Sequence, residues 1–84
     1  MTEKIQMILS EVEAEYYSAA ENFPPFNSVH EGYAVLLEEV DELWENVKLN
    51  KHKHPERNEL IREEAIQVAA MAVRLITDLE TAIQ

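Results

Sequence analysis

Residues 65–73 read AIQVAAMAV, a stretch whose one polar side chain is Gln67. Four alanines, with neither glycine nor proline, favour a helix. A surface helix carries one apolar stripe; a helix that is apolar most of the way round is buried on several sides. In a chain of 84 residues, three helices can hardly surround one of their own members. The stretch therefore predicts an all-α fold: a three-helix chain forming an antiparallel bundle, completed by a second copy in a homodimer. The alanines would permit close helix approach.

Working outward, helix three is expected to begin at Pro55, a residue suited to the first helical position, and to continue to about Ile83. The loop before it contains Lys51-His52-Lys53-His54. Two histidines one residue apart, without cysteine, make a weak metal site, so this reads as a solvated basic turn. Helix two opens on a capping box, with Ser28 as N-cap and Glu31 reaching back. It runs to about Lys48, with Asn50 as a stop. Its apolar arc is Leu36, Leu37, Val40, Leu43, Trp44 and Val47, with Tyr33, and Trp44 on that arc is expected in the core. Helix one spans about Glu3 to Glu21, with Ile5, Ile8, Leu9, Val12, Tyr16, Ala19 and Ala20 on one stripe. The following NFPPFN breaks it, since paired prolines remove donors and fix φ. Residues 1–84 read as one domain.

Acidic residues outnumber basic ones 17 to 7, for a formal charge of −10. That balance argues against a nucleic-acid partner, which needs a basic face, and suits cations. The absence of cysteine fits a reducing compartment. No apolar run approaches the roughly 20 residues of a membrane span, and the N-terminus lacks the pattern of a signal peptide. The expectation is a soluble, cytoplasmic protein with no membrane partner.

The charge is concentrated. Residues 38–45, EEVDELWE, contain five carboxylates and no basic group. Like charges at i,i+3 and i,i+4 cost about a few tenths of a kcal/mol per pair. In projection, Glu38, Glu42 and Glu45 share a sector with Glu31, and Asp41 points to solvent. Glu39 and Glu42 stand at the border of the apolar arc. Glu64 stands at a similar border on helix three, with Gln67 one turn later. Two antiparallel helices would present Glu39 and Glu42 to Glu64 and Gln67. Half-buried carboxylates from facing helices need a counter-charge, and a hard divalent cation such as Mg²⁺ or Mn²⁺ takes oxygen ligands. The bland alternative is a solvated acidic face.

These residues resemble a known family. Glu38-Glu39-Val40-Asp41-Glu42 is similar to the EExxE element of the MazG-like, all-α nucleoside triphosphate pyrophosphatases. Glu63-Glu64-Ala65-Ile66-Gln67 stands where that family has EExxD. The approach HEGYAVLLEE is also similar, and the resemblance covers roughly Ser28 to Leu79. It implies a dimeric or tetrameric, Mg²⁺-dependent enzyme that splits nucleoside triphosphates into monophosphate and pyrophosphate, often as house-cleaning of the nucleotide pool. Glu39, Glu42 and Glu64 would be metal ligands. Glu38 and Glu39 would be the catalytic carboxylates, with Glu38 a ligand or a group that positions water. His30 would lie in the nucleotide pocket. Two features depart from the pattern. Gln67 replaces the fourth metal-binding residue, an aspartate, and the sequence ends with helix three where many relatives carry a further helix. Asp78 lies too far along the helix to substitute, about 16 Å at 1.5 Å per residue.

Lys48, Arg62 and Arg74 are the candidates for triphosphate contacts, with Arg74 first because it follows Gln67 on nearly the same face. At a metal site, the Gln67 oxygen would face Glu64 and its nitrogen could bond a carboxylate. Three readings result: a pyrophosphohydrolase, a nucleotide- or metal-binding dimer without turnover, and a structural helical partner.

Overall fold

The computed structural model describes residues 2–81 and is helical, with no strand among them. Its helices are α1 (Thr2–Asn22), α2 (Val29–Val47) and α3 (Arg57–Thr81). α3 packs against both others, while α1 and α2 do not meet. The apolar stretch 65–73 therefore lies on the central helix. Ala70 and Met71 are buried there with Val12 and Ala19 of α1, and Val35, Leu36 and Ile66 pack against this core.

The α2 start follows the sequence reading closely. Ser28 is extended, and its hydroxyl accepts the Glu31 N–H at 3.1 Å. Glu31 reaches one residue further back than a capping box requires. It accepts the backbone N–H of Asn27 at 2.8 Å and the Asn27 amide at 3.1 Å. α3 starts at Arg57, two residues after Pro55, because the first i→i+4 bond runs from the Leu60 N–H to the Glu56 carbonyl. Asn50 ends α2 without a left-handed residue; its side chain accepts the N–H groups of His52 and Lys53. The sequence places the end of helix three at Ile83, outside the described residues.

Long-range polar contacts fix the helices. Arg62 donates to both carboxylate oxygens of Glu11, at 2.7 and 2.5 Å, tying α3 to α1. The Tyr16 hydroxyl donates to Thr77 at 3.2 Å. Asp78 accepts the Phe26 N–H at 2.9 Å, and Arg74 donates to the Pro24 carbonyl at 2.6 Å. These two side chains hold the proline turn against the last turns of α3. The only glycine, Gly32, makes that approach possible. A Cβ there would lie 2.5 Å from the Leu75 side chain and 3.1 Å from the Phe26 ring.

The apolar arc of α2 is divided. Leu36 and Leu43 are half-buried within the chain. Tyr33, Leu37, Val40, Trp44 and Val47 are exposed, at successive intervals of four and three residues. Trp44, expected in the core, is 57% exposed, with the Lys48 ammonium 5.6 Å from its ring centroid. Turning the helix by one residue explains the difference. Positions 32, 36, 39, 43 and 46 face inward, and their successors face out. No described helix is long and apolar enough to cross a membrane.

Candidate metal centre

Glu39 and Glu42 lie three residues apart on α2, so they project on neighbouring sides of one turn. Glu64 reaches them from α3. One oxygen from each of the three lies within 4.8 Å of the others. Glu39 and Glu64 are half-buried and Glu42 is exposed. Three carboxylates at this separation repel strongly unless a proton or a cation lies among them.

The strain falls on Glu64. Its pKa is pushed up to about 8, first by desolvation, then by the hydrogen-bonding contact with Glu39 and the charges of Glu39 and Glu42. Its Oε2 is buried and has no hydrogen-bond partner among the described residues. A buried acceptor left alone costs free energy, and no donor among the described residues fills the gap. The cluster could thus hold a metal ion. Its donor set is all oxygen, which suits hard divalent cations.

Beside the cluster, α1 and α2 stand apart and leave a cavity of about 450 Å³, with Gln67, Met71 and Arg74 of α3 among its lining residues. Ligand pockets commonly enclose about 300–1,000 Å³. Glu38, exposed, and Glu39 line this cavity on the α2 side. Two more acidic groups also reach it: Glu15 from α1 and the capping residue Glu31.

The remaining sequence candidates are dispersed. Gln67 lines the cavity, but its amide makes no hydrogen bond among the described residues, so the expected bond to a carboxylate is not formed. Arg74 lines it too and is only 5% exposed. Its guanidinium is bound to Pro24 and lies 4.2 Å from the Phe26 ring centroid. Arg62 is held by Glu11. Lys48 pairs with Glu45 at 2.9 Å, and neither it nor the exposed His30 lines the cavity. In the basic turn, His54 contacts Glu56 at 3.1 Å.

Sequence reasoning passed over Ser18, Asn22 and Phe23, which line the cavity from the end of α1 and the turn after it. NFPPF read only as a helix breaker. Its two aromatic rings, on either side of paired prolines, were the available signal for a rigid apolar wall. Compared with known proteins, the chain matches no family model, no curated protein and no solved structure.

Proposed function

We propose that the chain is a Mg²⁺-dependent nucleoside triphosphate pyrophosphohydrolase, acting as a homodimeric helical bundle in the cytoplasm. The observation that carries this reading is the convergence of Glu39, Glu42 and Glu64 beside a cavity of nucleotide size. The orphaned Glu64 Oε2 favours a bound cation over a merely solvated acidic face. The likeness of residues 38–42 and 63–67 to the paired motifs of the MazG-like family points the same way.

Glu39, Glu42 and Glu64 would hold Mg²⁺, or Mn²⁺ in its place, with Gln67 as the fourth residue. When bound, the metal would neutralise phosphate charge and polarise the bond that breaks. The chain's own part is to orient the reacting groups. Glu38 stands on the cavity wall, free to accept a proton from an attacking water or to hold that water. Glu39 is shared between the cavity and the cluster. Gln67, Met71 and Arg74 of α3 line the cavity beside them.

The homodimer is supported by the exposed stripe of Tyr33, Leu37, Val40, Trp44 and Val47. Apolar residues at such spacing form the seam of helical pairs. Contacts of Gly32 with Leu75 at one end of α2, and of Asn46 with Leu60 at the other, support an antiparallel course for α2 and α3. One observation favours a second reading, a nucleotide- or metal-binding dimer without turnover. Gln67 brings an amide to the place where the family has a fourth charge.

The deciding measurement is pyrophosphate release from a panel of nucleoside triphosphates, with Mg²⁺ and with chelator. Turnover that needs both metal and Glu38 supports the enzyme. Metal binding without turnover selects the second reading. For the dimer, Val40→Lys should shift the sedimenting species at low micromolar concentration from about twice the monomer mass to the monomer. A wild-type monomer there would refute it.

A further inference from the structure

The cavity is not uniform along its length. Glu38, Glu39 and Gln67 line it at one level of the helices. Seven residues further along α3 stands Arg74, about 10 Å away at 1.5 Å per residue. At that second level the wall is Phe23, Pro24 and Phe26, with Ser18 and Asn22 beside them. One end is acidic and suited to metal; the other is aromatic, with a few hydrogen-bonding groups and the Glu31 carboxylate, which accepts two bonds from Asn27.

Phe23 is 60% exposed, although it lines a cavity with apolar side chains nearby. The Arg74 guanidinium lies 5.9 Å from its ring centroid. The backbone of Phe23 is also held in place. Its N–H continues the helical pattern to Ala19 at 3.0 Å, and the next residues are pinned by Arg74 to Pro24 and by Asp78 to Phe26. Asn22 is fixed similarly. Its amide nitrogen donates to the Ser18 carbonyl at 2.8 Å, and its side-chain oxygen has no partner among the described residues. An aromatic ring on an anchored backbone, with an oriented amide beside it, is the chemistry that recognises a planar heterocycle with polar edges.

We propose that the aromatic end of the cavity is a nucleobase subsite, in which Phe23 stacks on the base and the Asn22 oxygen accepts a hydrogen bond from its edge. Arg74 is a positioning residue: it holds the Pro24 carbonyl and so sets the ring. The inference rests on the nucleotide reading above and gives that reading a direction. The base lies against α1 and the proline turn, and the phosphates extend toward Glu38 and Glu39.

The test uses the full chain and nucleosides without phosphate, titrated in chelator by isotope-edited nuclear magnetic resonance. Nucleosides should shift the Asn22 and Phe23 amides without any metal. Phe23→Ala should weaken that binding by about tenfold or more, the loss of one base–aromatic stack. Phe23→Trp should restore it. In the turnover assay, Phe23→Ala should raise KM and leave kcat unchanged. Nucleoside binding without pyrophosphate release would sink the enzyme reading and keep this subsite. Pyrophosphate release with a KM indifferent to Phe23→Ala would do the reverse. If Phe23→Ala changes the sedimenting mass and leaves nucleoside binding intact, the ring belongs to an interface between copies and the subsite is overturned. Nucleosides that shift neither amide also overturn it.

Discussion

Glu11 meets a group on the first half of α3 and Glu64 stands on it, and their surroundings move their acidities in opposite directions. Glu11 receives two bonds from Arg62, and its pKa lies below the ordinary carboxylate value, chiefly through that hydrogen bonding. Glu64 faces two more carboxylates and is pushed up to about 8. The first arrangement is complete as it stands: an exposed, matched ion pair that joins two helices. The second is incomplete, with a buried oxygen that nothing among the described residues donates to. A chain gains nothing for its fold by gathering Glu39, Glu42 and Glu64, and a carboxyl whose acidity is perturbed in this way is more often found at functional sites. The contrast separates an acidic group that helps build the bundle from one that the bundle holds against its own stability.

The largest effect should come from removing the strained group. Glu64→Gln should abolish stabilisation by Mg²⁺. In wild type this should reach about 2.7 kcal/mol at a hundredfold excess over Kd. At pH 8 the metal-free variant should be more stable than wild type by about 1–3 kcal/mol, the scale of a relieved buried polar group. Thermal unfolding with Mg²⁺ and with chelator measures both. A variant that still responds fully to Mg²⁺ would move the site away from Glu64.

The comparison also predicts a pH profile. A folded-state pKa above the ordinary 4.5 means that the folded chain holds a proton the unfolded chain has released. Glu64 therefore makes metal-free stability fall as pH rises from 4.5 toward about 8. Glu11 acts in the other direction. Its contribution is present above its ordinary pKa and is lost as pH falls through the lowered one. Metal-free stability should peak on the acid side of neutrality, and Mg²⁺ should move the peak upward. Denaturant unfolding across pH, with and without Mg²⁺, would show whether the peak moves.

Gln67 comes next. Gln67→Asp would return a charge to the cavity wall, and it should tighten Mg²⁺ binding by about tenfold, or 1.4 kcal/mol. It should also raise pyrophosphate release and weaken the metal-free fold through added repulsion. Gln67→Leu should fold and lose the metal response. Calorimetry decides the point: an aspartate variant that binds Mg²⁺ no better than wild type removes Gln67 from the ligand set.

The residues that sequence reading placed well share one property. Their roles are set within a turn or two of the chain. Ser28 and Glu31 are three residues apart, and Glu39 and Glu42 are set by helical projection alone. Glu64 was legible because it repeats the border position on the next helix. What was not legible depends on distant partners. Arg74 meets Pro24 and Phe26 across about fifty residues, so nothing in its local sequence points to those contacts. Trp44 sits on a valid apolar arc, but the arc is wider than the α3 face it packs against. The cavity exists because α1 and α2 do not touch, and no periodicity reports a gap between helices.

The smallest effect should come from the matched pair. Exposed ion pairs gain little in water, because each side chain loses freedom and salt screens the attraction. The two bonds from Arg62 to Glu11 make this geometry better than most, yet both side chains remain accessible. Arg62→Gln should lower the melting temperature slightly, and the difference should shrink as salt is added. It should leave Mg²⁺ affinity unchanged, since Arg62 contacts α1 and not the carboxylates of α2. Arg62 and Glu64 are two residues apart on α3, so they point to different sides of the helix. If Arg62→Gln weakened Mg²⁺ binding as much as Glu64→Gln, the two acidic regions would be one electrostatic unit, and the distinction between a structural carboxylate and a functional one would fail. Calorimetric titration of Mg²⁺ into both variants at low and high salt tells these apart. A salt-dependent stability change with constant affinity is expected for Arg62→Gln, and a salt-independent loss of binding for Glu64→Gln.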